Sequence, residues 1–171
     1  VSDASGNAAI TKLRTVIVTP VISLNGANTI VHEAGTPYTD LGATYTDVSG
    51  SGSATIGGAT VDINTLGEYV VEYTAIDAAG NVATPVFRTV IVSDNTKPVI
   101  TLIGNDTVVL KRGDSYVDAG VTATDSFDNA LPNVTVDSSA INNAVLGSYV
   151  VTYNVSDASG NAAITKLRTV I

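Results

Sequence analysis

Leu66-Gly67-Glu68-Tyr69-Val70-Val71-Glu72-Tyr73 returns 80 residues later as Leu146-Gly147-Ser148-Tyr149-Val150-Val151-Thr152-Tyr153. Tyr69, Val71 and Tyr73 alternate with Val70, Glu72 and Thr74, a period of two with β-branched and aromatic residues, which predicts a strand with one face toward a core. Asp77-Ala78-Ala79-Gly80-Asn81 follows, and it too returns as Asp157-Ala158-Ser159-Gly160-Asn161. Glycine supplies the positive φ of a tight turn and aspartate caps it through its side chain, so the segment predicts a hairpin. The strand beyond is read with Phe87, Leu167, Ile91 and Ile171 as core positions. Arg88 and Arg168 then fall on the solvent face.

Working outward, the chain is a set of copies. Pro20-Val21-Ile22-Ser23-Leu24 reappears as Pro98-Val99-Ile100-Thr101-Leu102, and Tyr38-Thr39-Asp40-Leu41-Gly42 as Tyr116-Val117-Asp118-Ala119-Gly120. Val1 to Ile17 matches Val155 to Ile171 letter for letter. Self-similarity of this kind marks tandem units. The expected division is the C-terminal hairpin and strand of an upstream repeat with a short linker over 1–19, a domain over 20–93, a linker over 94–97 and a second domain over 98–171. Short strands at this spacing, with no helical period, predict an all-β fold: tandem immunoglobulin-like antiparallel β-sandwiches of about seven strands each.

Composition narrows function by exclusion. The 171 residues include no Cys, no Met, no Trp and one His. Disulfides, thiolate nucleophiles and cysteine-based zinc sites are thereby ruled out. A net charge of -8 offers no basic surface for a phosphate backbone, so nucleic acid is not an expected partner. The uncharged stretch from Arg14 to Glu33 is broken by Pro20, Asn25, Gly26 and Asn28, so no membrane insertion is expected.

The run from Pro98-Val99-Ile100-Thr101-Leu102 through Gly113, Tyr116-Val117-Asp118-Ala119-Gly120 and Ala123-Thr124-Asp125 to Gly147-Ser148-Tyr149-Val150-Val151-Thr152-Tyr153 and Asp157-Ala158-Ser159-Gly160-Asn161 resembles the bacterial surface immunoglobulin-like repeat. That family is similar to the hyalin repeat and occurs in long arrays of secreted and cell-surface proteins. The resemblance implies a sandwich, an extracellular or cell-surface location, and a stalk, spacer or adhesive role, and it transfers no catalytic residues.

No nucleophile, base and orienting group recur together, so no enzyme activity is expected. His32 is matched by Leu110 in the second copy and reads as an ordinary strand residue. Tyr69 and Tyr149 look like the tyrosine corner of sandwich folds. Arg112-Gly113-Asp114 spells an integrin-recognition tripeptide, but the first copy keeps only the glycine, as Gly35. Lys166 is matched by Val86, which argues against a repeated Lys-to-Asn crosslink.

The carboxylates carry the chemistry. If the entering linker, the loop Asp125-Ser126-Phe127-Asp128-Asn129 and the hairpin before the last strand share one end of the second domain, then Asp94, Asp125, Asp128 and Asp157 meet there. Such acids repel one another unless a cation lies among them, and Ca²⁺ takes six to eight such oxygens. The plain alternative is a set of Asx turns and solvated acids.

The expected function is a structural extracellular spacer, stalk or fibre-forming unit, whose partners are neighbouring copies of the same repeat. An adhesin gripping a glycan or surface protein with its loops, or an accessory module of a secreted enzyme, are the competing readings. On the array reading, the sequence after Ile171 continues Val-Thr-Pro-Val-Ile.

Overall fold

The computed structural model describes residues 4–7, 12–14 and 16–171. Parts of the hairpin and strand expected over 1–17 lie outside the described residues. Within the described part, Leu13, Val16 and Ile17 are exposed.

The first seven strands are β1 (Val21–Leu24), β2 (Thr29–Glu33), β3 (Ala43–Asp47), β4 (Gly50–Ser53), β5 (Thr55–Gly58), β6 (Gly67–Thr74) and β7 (Val86–Ser93). They build two sheets, ordered β1-β3-β4 and β2-β7-β6-β5. Ile22 and Ala43 are buried on the first sheet, and Val71, Tyr73, Val90 and Val92 on the second. Each sheet thus has one apolar face, as a sandwich requires.

The second seven are β8 (Val99–Leu102), β9 (Thr107–Val108), β10 (Val121–Asp125), β11 (Asn129–Ala130), β12 (Thr135–Asp137), β13 (Tyr149–Asn154) and β14 (Lys166–Val170). Their sheets run β11-β10-β8 and β12-β13-β14-β9. Ile100, Ala123, Val151, Tyr153, Val155 and Val170 form one buried cluster. The expected all-β, immunoglobulin-like architecture of about seven strands per copy is what forms. β9 runs parallel to β14, with Thr107 opposite Thr169 and Val108 opposite Val170. Among the described residues no helix is long and apolar enough to cross a membrane.

Both hairpins fold as their sequence dictates. Asp77 Oδ1 accepts the N–H groups of Ala79 and Asn81, and Gly80 holds φ +85°. In the second hairpin Asp157 Oδ1 accepts the N–H of Asn161, and Gly160 holds φ +91°.

The phase of the last strand corrects the sequence reading. Phe87, Leu167 and Ile171 are 52%, 51% and 53% exposed, and Ile91 is half-buried. Arg88, Val90 and Val92 face inward instead, as do Arg168 and Val170. The cause is the ladder register, which sets Val151 opposite Arg168 and Tyr149 opposite Val170. Residues directly opposite in an antiparallel pair share a face, so burying Val151 buries Arg168. Tyr69, Tyr149, Val71, Val151, Tyr73 and Tyr153 keep the expected phase: the valines and Tyr73 and Tyr153 are buried, and Tyr69 and Tyr149 are half-buried.

Candidate functional site

Two polar clusters stand out, one structural and one with chemistry to offer. The first occurs in both copies. Arg88 Nη1 donates to both oxygens of Asp40 at 3.0 Å and to the Tyr73 hydroxyl at 2.7 Å. Its remaining donors reach the carbonyls of Asn25, Ala27 and Gly42. The Tyr73 hydroxyl itself donates to Asp40. In the second copy Arg168 pairs with Asp118 and donates to the carbonyls of Asn105, Ile103 and Gly120, while Tyr116 and Tyr153 donate to the same carboxylate. A buried guanidinium persists only when its charge is paired and its fork of donors is used, and both conditions hold here. Each cluster therefore ties the last strand of its copy to the loop before the third strand.

Sequence reasoning placed Arg88 and Arg168 on the wet face. The signal that could have found them was their recurrence alongside the repeated Tyr-x-Asp-x-Gly segments, a charged pair retained while neighbouring residues change.

The second cluster is the acidic corner of the second copy. Asp94 follows the last residue of β7. Asp125 ends β10, and Asp128 sits in the turn that Asn129 closes with φ +62°. Asp157 opens the hairpin after β13, where Ser156 bridges Ala162. Asp94, Asp128 and Asp157 each present a carboxylate oxygen, and these oxygens lie within 4.8 Å of one another. Asp125 does not join that mutual grouping. Its Oδ1 accepts the N–H of Phe127 at 2.8 Å. The Oδ2 atoms of Asp94 and Asp125 are buried without a hydrogen-bond partner.

The corner is held from outside. Asn161 Nδ2 donates to the Asp94 carbonyl at 3.1 Å and to Asp157 Oδ2 at 2.9 Å, clipping linker to hairpin. The Ala158 N–H donates to Asp128 Oδ2 at 2.8 Å. The linker N–H groups of Asn95 and Thr96 donate to Glu33. Burial pushes the Asp94 carboxyl above its ordinary range, and the charges of Asp125 and Asp157 push it further, against hydrogen bonds from Thr96 and Ser159.

Elsewhere the sequence candidates are accounted for locally. His32 Nε2 lies 2.9 Å from the Thr36 carbonyl and its ring meets Tyr38 edge to face. Tyr69 and Tyr149 donate to the carbonyls of Thr65 and Val145, four residues upstream in each case, as a tyrosine corner does. Arg112 is turned onto the Ala144 carbonyl at 3.0 Å, which occupies the first residue of the Arg-Gly-Asp tripeptide.

A family described as bacterial surface protein, Ig-like domain, matches residues 22–92 and 100–171. An uncharacterized 81.3 kDa protein of Acholeplasma phage L2 is 33% identical over 107 residues, covering 60% of this chain and 14% of the phage protein. The chain thus spans only a small part of that relative's length. The crystal structure of the lipoprotein BT2262 from Bacteroides thetaiotaomicron is similar over 88% of this chain and 98% of its own, at 15% identity and a TM-score of 0.39.

Proposed function

The chain belongs to the bacterial surface protein Ig-like domain family, and on that premise we propose that it is a structural spacer, a stretch of a long extracellular array that holds something away from a microbial surface. The observation that carries this reading is repetition of the interior itself. The same arginine, aspartate and tyrosine close both copies, as Arg88, Asp40 and Tyr73 and as Arg168, Asp118 and Tyr153. A catalytic or binding module concentrates its unusual groups in one place, whereas a spacer repeats whatever makes the unit stable. The letter-for-letter match of Val1–Ile17 to Val155–Ile171 extends the pattern to a longer repeat of two units.

The family is one whose members are typically non-enzymatic, and the role proposed here is mechanical. Subunits donating a strand to one another would also cover the apolar residues Leu13, Val16 and Ile17. The second copy already owns an identical last strand, which a donor would have to displace, and this favours a covalent array.

Denaturing gel electrophoresis of the native surface protein tests the proposal. One polypeptide many times the 17.4 kDa of this chain is the expected result. A band near that mass, or a ladder of it, would defeat the array. Turnover of any substrate that a single substitution abolishes would defeat the mechanical role.

A further inference from the structure

We propose that the corner where Asp94, Asp128 and Asp157 converge, with Asp125 beside them, is a calcium-binding site. The inference stands independently of the spacer role.

The distances suit a single ion. Oxygens bound on opposite sides of Ca²⁺, at about 2.3–2.6 Å each, stand roughly 4.6–5.2 Å apart. Three carboxylates whose oxygens lie within 4.8 Å of one another can therefore all touch one such cation. Mg²⁺ demands shorter, near-octahedral bonds and gives up its water reluctantly, so three carboxylates at this spacing favour the larger ion.

Burial supplies the second, independent observation. Asp94, Asp157 and Asp125 are 5%, 8% and 9% exposed. Among the described residues the ion pairs are Arg88 with Asp40 and Arg168 with Asp118, so no lysine or arginine neutralises this corner. Among the described residues, Asp94 Oδ2 and Asp125 Oδ2 are the buried side-chain atoms left without a hydrogen-bond partner. Folded proteins leave few such atoms, and a buried charge persists when it is paired or coordinates a metal. Both orphans are carboxylate oxygens, the donors that a hard cation prefers. The hydrogen bonds that are present, from Ala158 to Asp128 and from Asn161 to Asp157, fix the carboxylates in place and leave other lone pairs for an ion.

The first copy serves as an internal control. Asp47 and Asp77 occupy the places of Asp125 and Asp157, but Val48-Ser49-Gly50 follows where the second copy has Asp128. The recess beside them is lined by Val16, Ile17 and Val18, with no counterpart of Asp94. Asp47 Oδ1 is taken up by Ser49 and Gly50, and no carboxylate oxygen of this corner is buried and unpartnered among the described residues. Orphaned oxygens appear only where the additional acids do.

The test is isothermal titration of CaCl₂, with MgCl₂ in parallel, into the EDTA-treated chain, together with calorimetric melting in each ion. One Ca²⁺ per chain is expected, with a rise in the melting temperature of the second copy on the order of 5 °C or more at saturating ion. Asp94→Asn and Asp128→Asn should each weaken binding by about tenfold or more, while Asp77→Asn, at the matching hairpin of the first copy, should leave it unchanged. Asp128 is half-buried in a turn, so its variant keeps the test sound if Asp94→Asn fails to fold. Absence of both heat and a melting shift with Ca²⁺ would overturn the site. So would binding that survives both substitutions intact, and equal affinity for Mg²⁺ would overturn its assignment to calcium.

Discussion

Arg88 grips Asp40 through both carboxylate oxygens at 3.0 Å while the arginine side chain has no exposure to solvent at all. In the second copy Arg168, equally shielded from solvent, pairs with Oδ1 of Asp118, 50 residues away in sequence. These pairs tie the last strand to the loop before the third, across 48 and 50 residues of sequence.

Removing one partner should be costly. Arg88→Met leaves Asp40 half-sheltered beside a tyrosine hydroxyl with its cation gone, and the expected loss is about 3–5 kcal/mol in that copy. Replacing both, as Arg88→Met with Asp40→Leu, should recover much of it, because no uncompensated charge then remains. Urea unfolding of the two variants measures the difference. A double variant no better than the single one would show that the geometry of the pair matters more than its charge.

The corrected strand phase makes opposite demands on neighbouring residues. Phe87→Ala and Leu167→Ala remove side chains that are about half exposed, and each should cost less than about 1 kcal/mol. Tyr73→Ala and Tyr153→Ala empty fully buried sites and should cost about 3–5 kcal/mol. Equilibrium denaturation that ranked Phe87 with Tyr73 would restore the original reading of the last strand.

The fold class, the strand count, the two hairpins and the tyrosine corners were all legible in sequence, because each rests on local chemistry: alternation, a positive-φ glycine, an aspartate cap. The phase of β7 and β14 was not. Local alternation offers two faces, and hydropathy chose the one carrying Phe87 and Ile91 over the one carrying Arg88. Only the register between strands decides, and it set Arg168 opposite the buried Val151. The acidic corner was read from loop topology alone, and the structure brings Asp94, Asp128 and Asp157 together. The finer arrangement does not follow from loop topology: Asp125 Oδ1 accepts N–H groups of its own turn, and Asp125 stays outside the mutual grouping.

Gly58 and Gly80 both adopt positive φ, at +77° and +85°, yet they should respond differently to alanine. A Cβ on Gly58 would meet the Val70 carbonyl oxygen at 2.7 Å and the Glu72 nitrogen at 2.9 Å, both backbone atoms of the adjoining strand. A Cβ on Gly80 meets nothing within 4 Å. Gly80→Ala should therefore cost only the left-handed backbone penalty, about 1–2 kcal/mol. Gly58→Ala should cost more, because the β5–β6 ladder must also shift. Equal melting temperatures for the two variants would contradict the close approach.

The pH dependence of the second copy follows from Asp118 and Tyr153. Burial works to raise the Asp118 carboxyl, but hydrogen bonds from Tyr153, Tyr116 and the Gly120 N–H, together with the Arg168 charge, hold it below the ordinary value of 3.8. The unfolded chain then binds the proton more readily than the folded one. Asp118 accordingly contributes stability that is complete above about pH 4 and lost as pH falls through its lower folded value. Tyr153 acts on the other limb: burial, and then its bond to Asp118, raise its hydroxyl above 10.0. Its contribution is complete below that value and declines as pH rises through the alkaline range, since the unfolded tyrosine ionises first. Urea midpoints measured from acid to alkaline pH should fall at both ends. Asp118→Asn should be less stable at neutral pH and show a shallower acid limb, because the variant has no carboxylate left to protonate at that position. An acid limb of unchanged steepness in that variant would assign the acid sensitivity to other carboxylates.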